Sequence, residues 1–227
     1  MKYTVIVCTC ILVTINACAQ KFTSSLNLQL AVPQGEYKEA NRESGLGARL
    51  NFLYRPSPVV PIKIGIEAGM QVKGSTSQYF AGYVFGFYEE YKLTASNNIA
   101  SLNFVTRLQP LKPNKVKPFV DAIAGWNIFF STVSTESLSY YNSADQSYSK
   151  SSKAKWAFNY GAAAGLDIPL NRRDELGMEL KVAYVFGSNS DYYTNPRIND
   201  SGEVFFTRQN SLTNMLIPQA GLRWNFR

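Results

Sequence analysis

Apolar and polar residues alternate one by one along most of the chain, and a helical period is nearly absent. The clearest example runs from Ile62 to Val72, where every second residue is Ile, Ala, Met or Val. Such alternation sends successive side chains to opposite faces, so it is typical of a β-strand between two different environments. Eight segments follow this rule: 25–32, 45–54, 62–72, 100–108, 120–130, 156–168, 176–186 and 216–226.

Most of these segments have about the ten residues that a tilted strand needs to cross a bilayer. An even strand number also brings both chain ends to one side, as single-chain bacterial barrels require. Pro218 interrupts the last segment, and because proline donates no ladder hydrogen bond we expect a β-bulge there. The pattern predicts an all-β fold, an eight-stranded antiparallel up-and-down transmembrane β-barrel.

The connections between the segments alternate in length. Those after the second, fourth and sixth segments are short and rich in proline, as in Arg55-Pro56-Ser57-Pro58. Those after the third, fifth and seventh are long, covering 73–97, 131–153 and 188–210, and the first one, 33–43, is intermediate. Short turns on one side and long loops on the other are typical of outer-membrane barrels.

A water-soluble lipocalin-like barrel or a β-sandwich would also have period-two strands. Its solvated face would carry many Lys, Glu and Thr, whereas the polar face here is mostly Gly, Asn, Gln, Ser and Ala. Charged residues make up 17% of the chain, below the roughly 25% of soluble domains. The composition favours a barrel whose apolar face meets lipid, with a soluble periplasmic β-protein as the alternative.

Nine charged residues fall on the polar face when each strand is read by position, five of them positive and four negative. A lumen of low dielectric constant holds charges only where they are paired and hydrogen-bonded. We therefore expect a closed, polar lumen with a nearly neutral charge network. Its members are Arg49, Lys63, Glu67, Arg107, Asp121, Asp167, Glu179, Lys181 and Arg223.

Aromatic residues make up 14% of the chain and concentrate at the ends of the predicted strands. Rings at that height form the girdles of membrane barrels, although aromatic residues also favour strands in general. The predicted girdle residues are Tyr54, Trp126, Phe129, Phe130, Trp156, Phe158, Tyr184, Phe186, Trp224 and Phe226.

The long connection after the third segment contains a second group of aromatic residues. Clustered rings offer a large contact area at low entropic cost, so they suit a recognition surface. The alternative is that this segment extends the strands beyond the bilayer and that its rings pack on each other. The candidate loop recognition residues are Tyr79, Phe80, Tyr83, Phe85, Phe87, Tyr88 and Tyr91.

The first residues have the pattern of a secretory signal peptide. Lys2 precedes an apolar run from Tyr3 to Ile15, and Ala17-Cys18-Ala19 offers a small-residue cleavage site. We expect residues 1–19 to be the signal peptide, with cleavage near Ala19, and 20–227 to be a single barrel domain. All three cysteines lie in this leader, and lipidation of Cys18 is the alternative.

The residue types present exclude much chemistry. The chain has no histidine, which removes histidine-based hydrolase triads and histidine-ligated metals, and cleavage removes every cysteine. We expect no enzyme, no cofactor and no metal site. The formal net charge of +7 is scattered without a basic stripe, so we expect no nucleic-acid partner.

The alternating C-terminal segment Gly221-Leu222-Arg223-Trp224-Asn225-Phe226 completes a pattern that resembles the OmpA-like, OmpX-like and PorT-like small outer-membrane β-barrels. The resemblance implies a bacterial outer-membrane location, contact with outer-membrane lipid and recognition of the last strand by the barrel assembly machinery. These motifs specify an architecture and not an activity. From the aromatic-rich loops we expect a structural or partner-binding role, the partner being an envelope or host-surface protein. The alternative is a porin-like narrow channel for small or apolar solutes, similar to OmpW.

Overall fold

The computed structural model describes residues 22–84, 87–111, 116–137, 148–151, 154–199 and 203–226. Within these ranges no helix is long and apolar enough to cross a membrane. The elements are β1 (Phe22–Pro33), α1 (Glu36–Ala40), β2 (Gly45–Tyr54), β3 (Ile62–Val84), β4 (Phe87–Leu108), β5 (Lys117–Ser137), β6 (Tyr148–Ser151), β7 (Lys155–Pro169), β8 (Leu176–Gly187), β9 (Asn189–Ile198), β10 (Val204–Leu212) and β11 (Met215–Phe226).

Eight of the strands close into a ring. The order is β1, β2, β3, β4, β5, β7, β8 and β11, each antiparallel to the next, and β11 pairs back onto β1. Every predicted segment lies within one of these strands. The predicted eight-stranded antiparallel up-and-down barrel is therefore confirmed. β6 adds a short strand beside β5, and β9 and β10 form a separate hairpin.

The two ends of the barrel differ. The turn end has the three short connections together with the start of β1 and the end of β11. The loop end has α1, the β9–β10 hairpin and the extended parts of β3, β4 and β5. The chain thus places its larger, more varied structures at one end only.

Residue parity decides which way each barrel side chain points. Even-numbered residues face outward and odd-numbered residues face the lumen, because the antiparallel register pairs odd with odd, as in Asn27 with Gly221. The apolar residues Leu53, Val105 and Ile123 also follow this rule and are buried inside. Among the barrel positions described between Phe22 and Phe226, no outward-facing residue of the apolar belt is charged.

Three of the strands are longer than predicted. β3 and β4 continue as a hairpin through Val84 and Phe87, and β5 runs to Ser137. Directly beyond the apolar belt both faces are polar, as in Ser75, Thr76 and Ser77, and farther out polar and aromatic residues no longer alternate, so the pattern that locates a strand disappears. We call residues 75–84, 87–96, 131–137 and 148–151 the outer sheet.

The β-bulge expected at Pro218 is absent, because β11 keeps one register with β8 on both sides of this residue. A register shift occurs instead in β3, between Val72 and Ser75, where Lys73 and Gly74 lie opposite Asn97. Gly74 has φ of +133°, a backbone conformation that glycine accepts without strain.

Candidate functional site

Six of the nine predicted lumen charges form one cluster in the middle of the barrel. The Arg107 guanidinium donates two hydrogen bonds to Asp121, at 2.7 and 2.9 Å, and a third to Glu179 at 2.6 Å. Arg49 donates to Glu67 at 2.5 Å, and Lys181 pairs with Glu67 as well. Lys181 Nζ also lies 3.6 Å from Asp121, which links the two groups.

This central cluster is electrically neutral and buried. Three cations face three carboxylates, and all six side chains are at most 3% exposed. The ring of Phe119 lies under the Arg107 guanidinium, 3.7 Å from centroid to carbon, and adds a cation–π contact. Ion pairs this deeply buried are structural unless a substrate can reach them.

A second group of charges closes the turn end. Arg223 pairs with Asp167 at 2.8 Å and with Asp174 at 2.7 Å, and Lys117 also pairs with Asp174. A Cβ at Gly177 would meet the Arg223 guanidinium at 2.3 Å, so glycine makes room for it. Two cations and two carboxylates again balance.

Asp174 lies in the β7–β8 turn and folds back over the lumen. Partial burial acts to raise the pKa of Asp174, but the hydrogen bonds and charges of Lys117 and Arg223 outweigh it and hold the pKa below its ordinary value.

Lys63 is the ninth predicted charge and lies apart from both groups. It is buried, and its ammonium donates to Thr23 at 3.2 Å. No carboxylate among the described residues lies within ion-pair distance of it. Among the nine predicted charges there is thus one more positive than negative charge, and Lys63 is the one without a carboxylate partner.

The loop end of the lumen is closed by aromatic rings instead of charges. Tyr37, on α1, is 1% exposed and packs edge-on against Tyr192, at 5.0 Å between centroids, and against Phe129, at 6.3 Å. Burial, and to a lesser degree the neighbouring Tyr192, raises the pKa of Tyr37 well above its ordinary value. We call these three rings the aromatic plug.

Gly35 positions the aromatic plug. It precedes α1 with φ of +57°, in the left-handed region that favours glycine. Glu36 accepts a hydrogen bond from the backbone N–H of Leu212, which ties the helix to the β9–β10 hairpin.

The girdle prediction was wrong for Phe129. This residue is odd-numbered, faces the lumen and is 5% exposed as part of the aromatic plug. Its neighbour Phe130, also a predicted girdle residue, is even-numbered and faces outward. The other predicted girdle residues are on even positions and turn outward, with Trp156 64% and Phe226 52% exposed.

Six of the seven predicted recognition residues lie in the β3–β4 hairpin, which is the alternative of strands extended beyond the apolar belt. Phe80 stacks on Tyr91 across the hairpin, with centroids 5.3 Å apart, and Tyr79 is 68% exposed beneath the Lys92 ammonium. Tyr83 pairs with Tyr88, and Phe87 with Val84, in the backbone register. Phe85 lies outside the described residues.

Sequence reasoning missed four residues that the structure brings into these sites. Tyr37 and Lys73 enter the loop end, and Lys117 and Asp174 close the turn end. Parity could have found Lys73 and Lys117, since both continue the odd, inward-facing series of their strands. Tyr37 and Asp174 are in connections, where no alternation indicates direction. In the described part of the chain no group of acidic residues is arranged to hold a metal ion.

No family model matches the chain, and no curated protein does. Among solved structures, Neisserial surface protein A is similar over 90% of this chain and 97% of its own, at 13% identity and a TM-score of 0.45. A major outer-membrane protein of Thermus thermophilus is similar over 89% of this chain and 99% of its own, at 14% identity and a TM-score of 0.42. Ail, the attachment invasion locus protein of Yersinia pestis, is similar over 90% of this chain and 97% of its own, at 14% identity and a TM-score of 0.32. Function does not transfer at this level, because barrels of unrelated roles share an architecture.

Proposed function

We propose that this chain is an integral outer-membrane β-barrel, closed to solutes, which presents the outer sheet to a protein partner. One observation carries the membrane assignment: the belt of outward-facing residues is apolar, and the charges of the same strands are inside. Leu28, Leu46 and Trp156 are each more than 60% exposed on this belt. In water a continuous apolar surface of this extent would drive association, whereas lipid solvates it.

The packed lumen supports the closed barrel over a narrow channel. The central cluster and the aromatic plug block the lumen in series, and their side chains are nearly inaccessible to solvent. A conducting pore of the porin type keeps a water-filled polar interior.

The outer sheet supports the partner-binding role. It projects from a rigid barrel and exposes Tyr79 and Tyr91, while Phe205 adds an exposed ring on the neighbouring β10. Aromatic residues on a rigid support are the usual anchors of protein interfaces. No catalytic group is required for such a role, and we propose that the chain is not an enzyme.

The closed barrel is tested by refolding residues 20–227 into lipid vesicles and planar bilayers. We expect a folded band whose electrophoretic mobility changes on heating, and no discrete conductance steps. Steps of uniform size from the folded protein would contradict the closed lumen and favour the channel.

The partner role is tested by photo-crosslinking in intact cells. A photoreactive amino acid replaces Tyr79 on the outer sheet or, as the control, Val59 in the turn after β2, which is 77% exposed. We expect a discrete protein adduct at position 79 and none at position 59. Equal adducts at both positions, or none at 79, would contradict the proposal.

A further inference from the structure

A small pocket lies at the loop end, between the aromatic plug and the bulge in β3. Its lining includes Tyr37, Lys73, Asn97, Phe129 and Tyr192. Lys73 is 2% exposed and Asn97 5% exposed, so both polar side chains are buried. The central charge cluster has no part in this pocket, and the outer sheet contributes Ser131 to its lining.

The bulge explains how Lys73 reaches the pocket. The extra residue in β3 places Lys73 and Gly74 opposite Asn97. A side chain at position 74 would have to adopt φ of +133° and would meet the carboxylate of Glu43. The backbone therefore holds the lysine inward, beside the amide of Asn97.

Both residues have hydrogen-bond donors without an acceptor. Lys73 Nζ has no acceptor in the described structure, and its nearest partner is the face of the Tyr37 ring, 3.4 Å from the centroid. Asn97 Oδ1 accepts a hydrogen bond from Ser131 at 2.7 Å, which leaves Nδ2 unpaired. A buried ammonium that contacts only a ring face lacks the acceptors that compensate for its lost hydration.

We propose that this pocket binds a small carboxylate, whose oxygens accept hydrogen bonds from Lys73 Nζ and Asn97 Nδ2. The enclosed space holds about one water-sized group, so one carboxylate oxygen enters it and the rest of the molecule lies at the mouth. The rings of Tyr37 and Tyr192 provide apolar walls for a methyl or methylene group. Lys155 at the rim adds positive charge, and the exposed Glu43 opposes it.

The ionisation of Lys73 is sensitive to what occupies this pocket. Burial lowers the pKa of Lys73 to about 7, while the charge of Glu43 acts in the opposite direction. A bound carboxylate stabilises the ammonium and therefore raises this pKa. Binding and protonation of Lys73 are thus linked.

Acetate is the probe that tests the pocket. The refolded barrel, labelled with ¹⁵N in detergent micelles, is titrated with sodium acetate at a pH slightly below the pKa of Lys73, with ionic strength held constant by a bulky sulfonate salt. We expect saturable shifts of the Asn97 side-chain amide and the Gly74 backbone amide. Absence of saturation, or equal shifts with the bulky sulfonate alone, would overturn the proposal.

Lys73→Met removes the ammonium and keeps the length of the side chain. We expect its acetate affinity to fall at least tenfold, while Lys92→Met, which changes a lysine of the outer sheet, keeps the affinity of the unmodified protein. If Lys73→Met does not fold, Asn97→Ala replaces it, with an expected loss of several-fold. Unchanged affinity in the folded variant used would overturn the proposal.

Discussion

The two halves of the lumen are filled by different chemistry. In the middle and at the turn end, every carboxylate has cationic partners, and Arg107 alone satisfies two of them. At the loop end, Tyr37 and its aromatic neighbours fill the lumen, and Lys73 and Asn97 keep unpaired donors. Every carboxylate in one half is thus paired, whereas the other half keeps a buried ammonium that has no hydrogen-bond acceptor.

The largest effect is expected in the half whose carboxylates are all paired. Arg107→Met leaves Asp121 and Glu179 buried without their main counter-charge, which costs roughly 3–5 kcal/mol of unfolding free energy. Urea unfolding of the refolded barrel in micelles measures this. Arg208→Met is the matched control, because its pair with Asp191 is on the exposed β9–β10 hairpin, and we expect no measurable change.

A rescue variant separates the loss of charge balance from the loss of packing. Adding Asp121→Asn and Glu179→Gln to Arg107→Met removes the uncompensated charges, so most of the lost stability returns. If Arg107→Met were as stable as the unmodified protein, the central cluster would not be a tightly coupled unit.

Removing a ring of the aromatic plug is expected to cause the next largest loss of stability. Tyr37→Ala removes a fully buried ring, and we expect a loss of about 3 kcal/mol. Because the central cluster still blocks the lumen, planar-bilayer recordings of this variant stay silent. Phe205→Ala, an exposed ring on β10, is the control for stability. Discrete conductance steps in Tyr37→Ala would show that the plug alone closes the barrel.

The unpaired Lys73 predicts a dependence of stability on pH. Its pKa is about 7 in the folded protein and near 10.5 when unfolded, so the unfolded chain binds more protons between these values. Stability from this group therefore rises as pH increases from about 7 to about 10. The groups that face it are Tyr37, Glu43, Lys155 and Tyr192.

Lys73→Met isolates this contribution. The difference between its unfolding free energy and that of the unmodified protein should change with pH across this window, while the difference for Lys92→Met stays flat. A flat difference for Lys73→Met would mean that the ammonium is already compensated in the folded barrel.

Asp174 gives the smallest effect, since this turn residue is partly exposed. Asp174→Asn should cost less than about 1 kcal/mol near neutral pH, because solvent screens its pairs with Lys117 and Arg223. The depressed pKa of Asp174 provides stability above its unfolded value and loses it as pH falls through the folded value. The variant and the unmodified protein should thus converge in acid unfolding curves, and a constant gap would contradict the assignment.

The barrel strands could be predicted from the sequence because lipid and lumen impose opposite chemistry on successive residues. The same rule places Arg107 and Glu67 inside, but not beside particular partners, since alternation gives direction without register. It fails where the two faces no longer differ, which is why the pattern predicts a loop around Tyr79 where the structure has strands. The prediction for Phe129 failed because aromatic character is a weaker guide to direction than an odd position in β5.

Lipid solvation of the outward belt is tested most directly by one pair of substitutions. Leu28, in the middle of β1, and Val59, in a turn, are 69% and 77% exposed, so water would tolerate arginine equally at both positions. We predict that Leu28→Arg lowers the unfolding free energy in lipid vesicles by roughly 2–4 kcal/mol, the cost at the bilayer midplane, whereas Val59→Arg has little effect. Equal, small effects of both substitutions would contradict the membrane barrel.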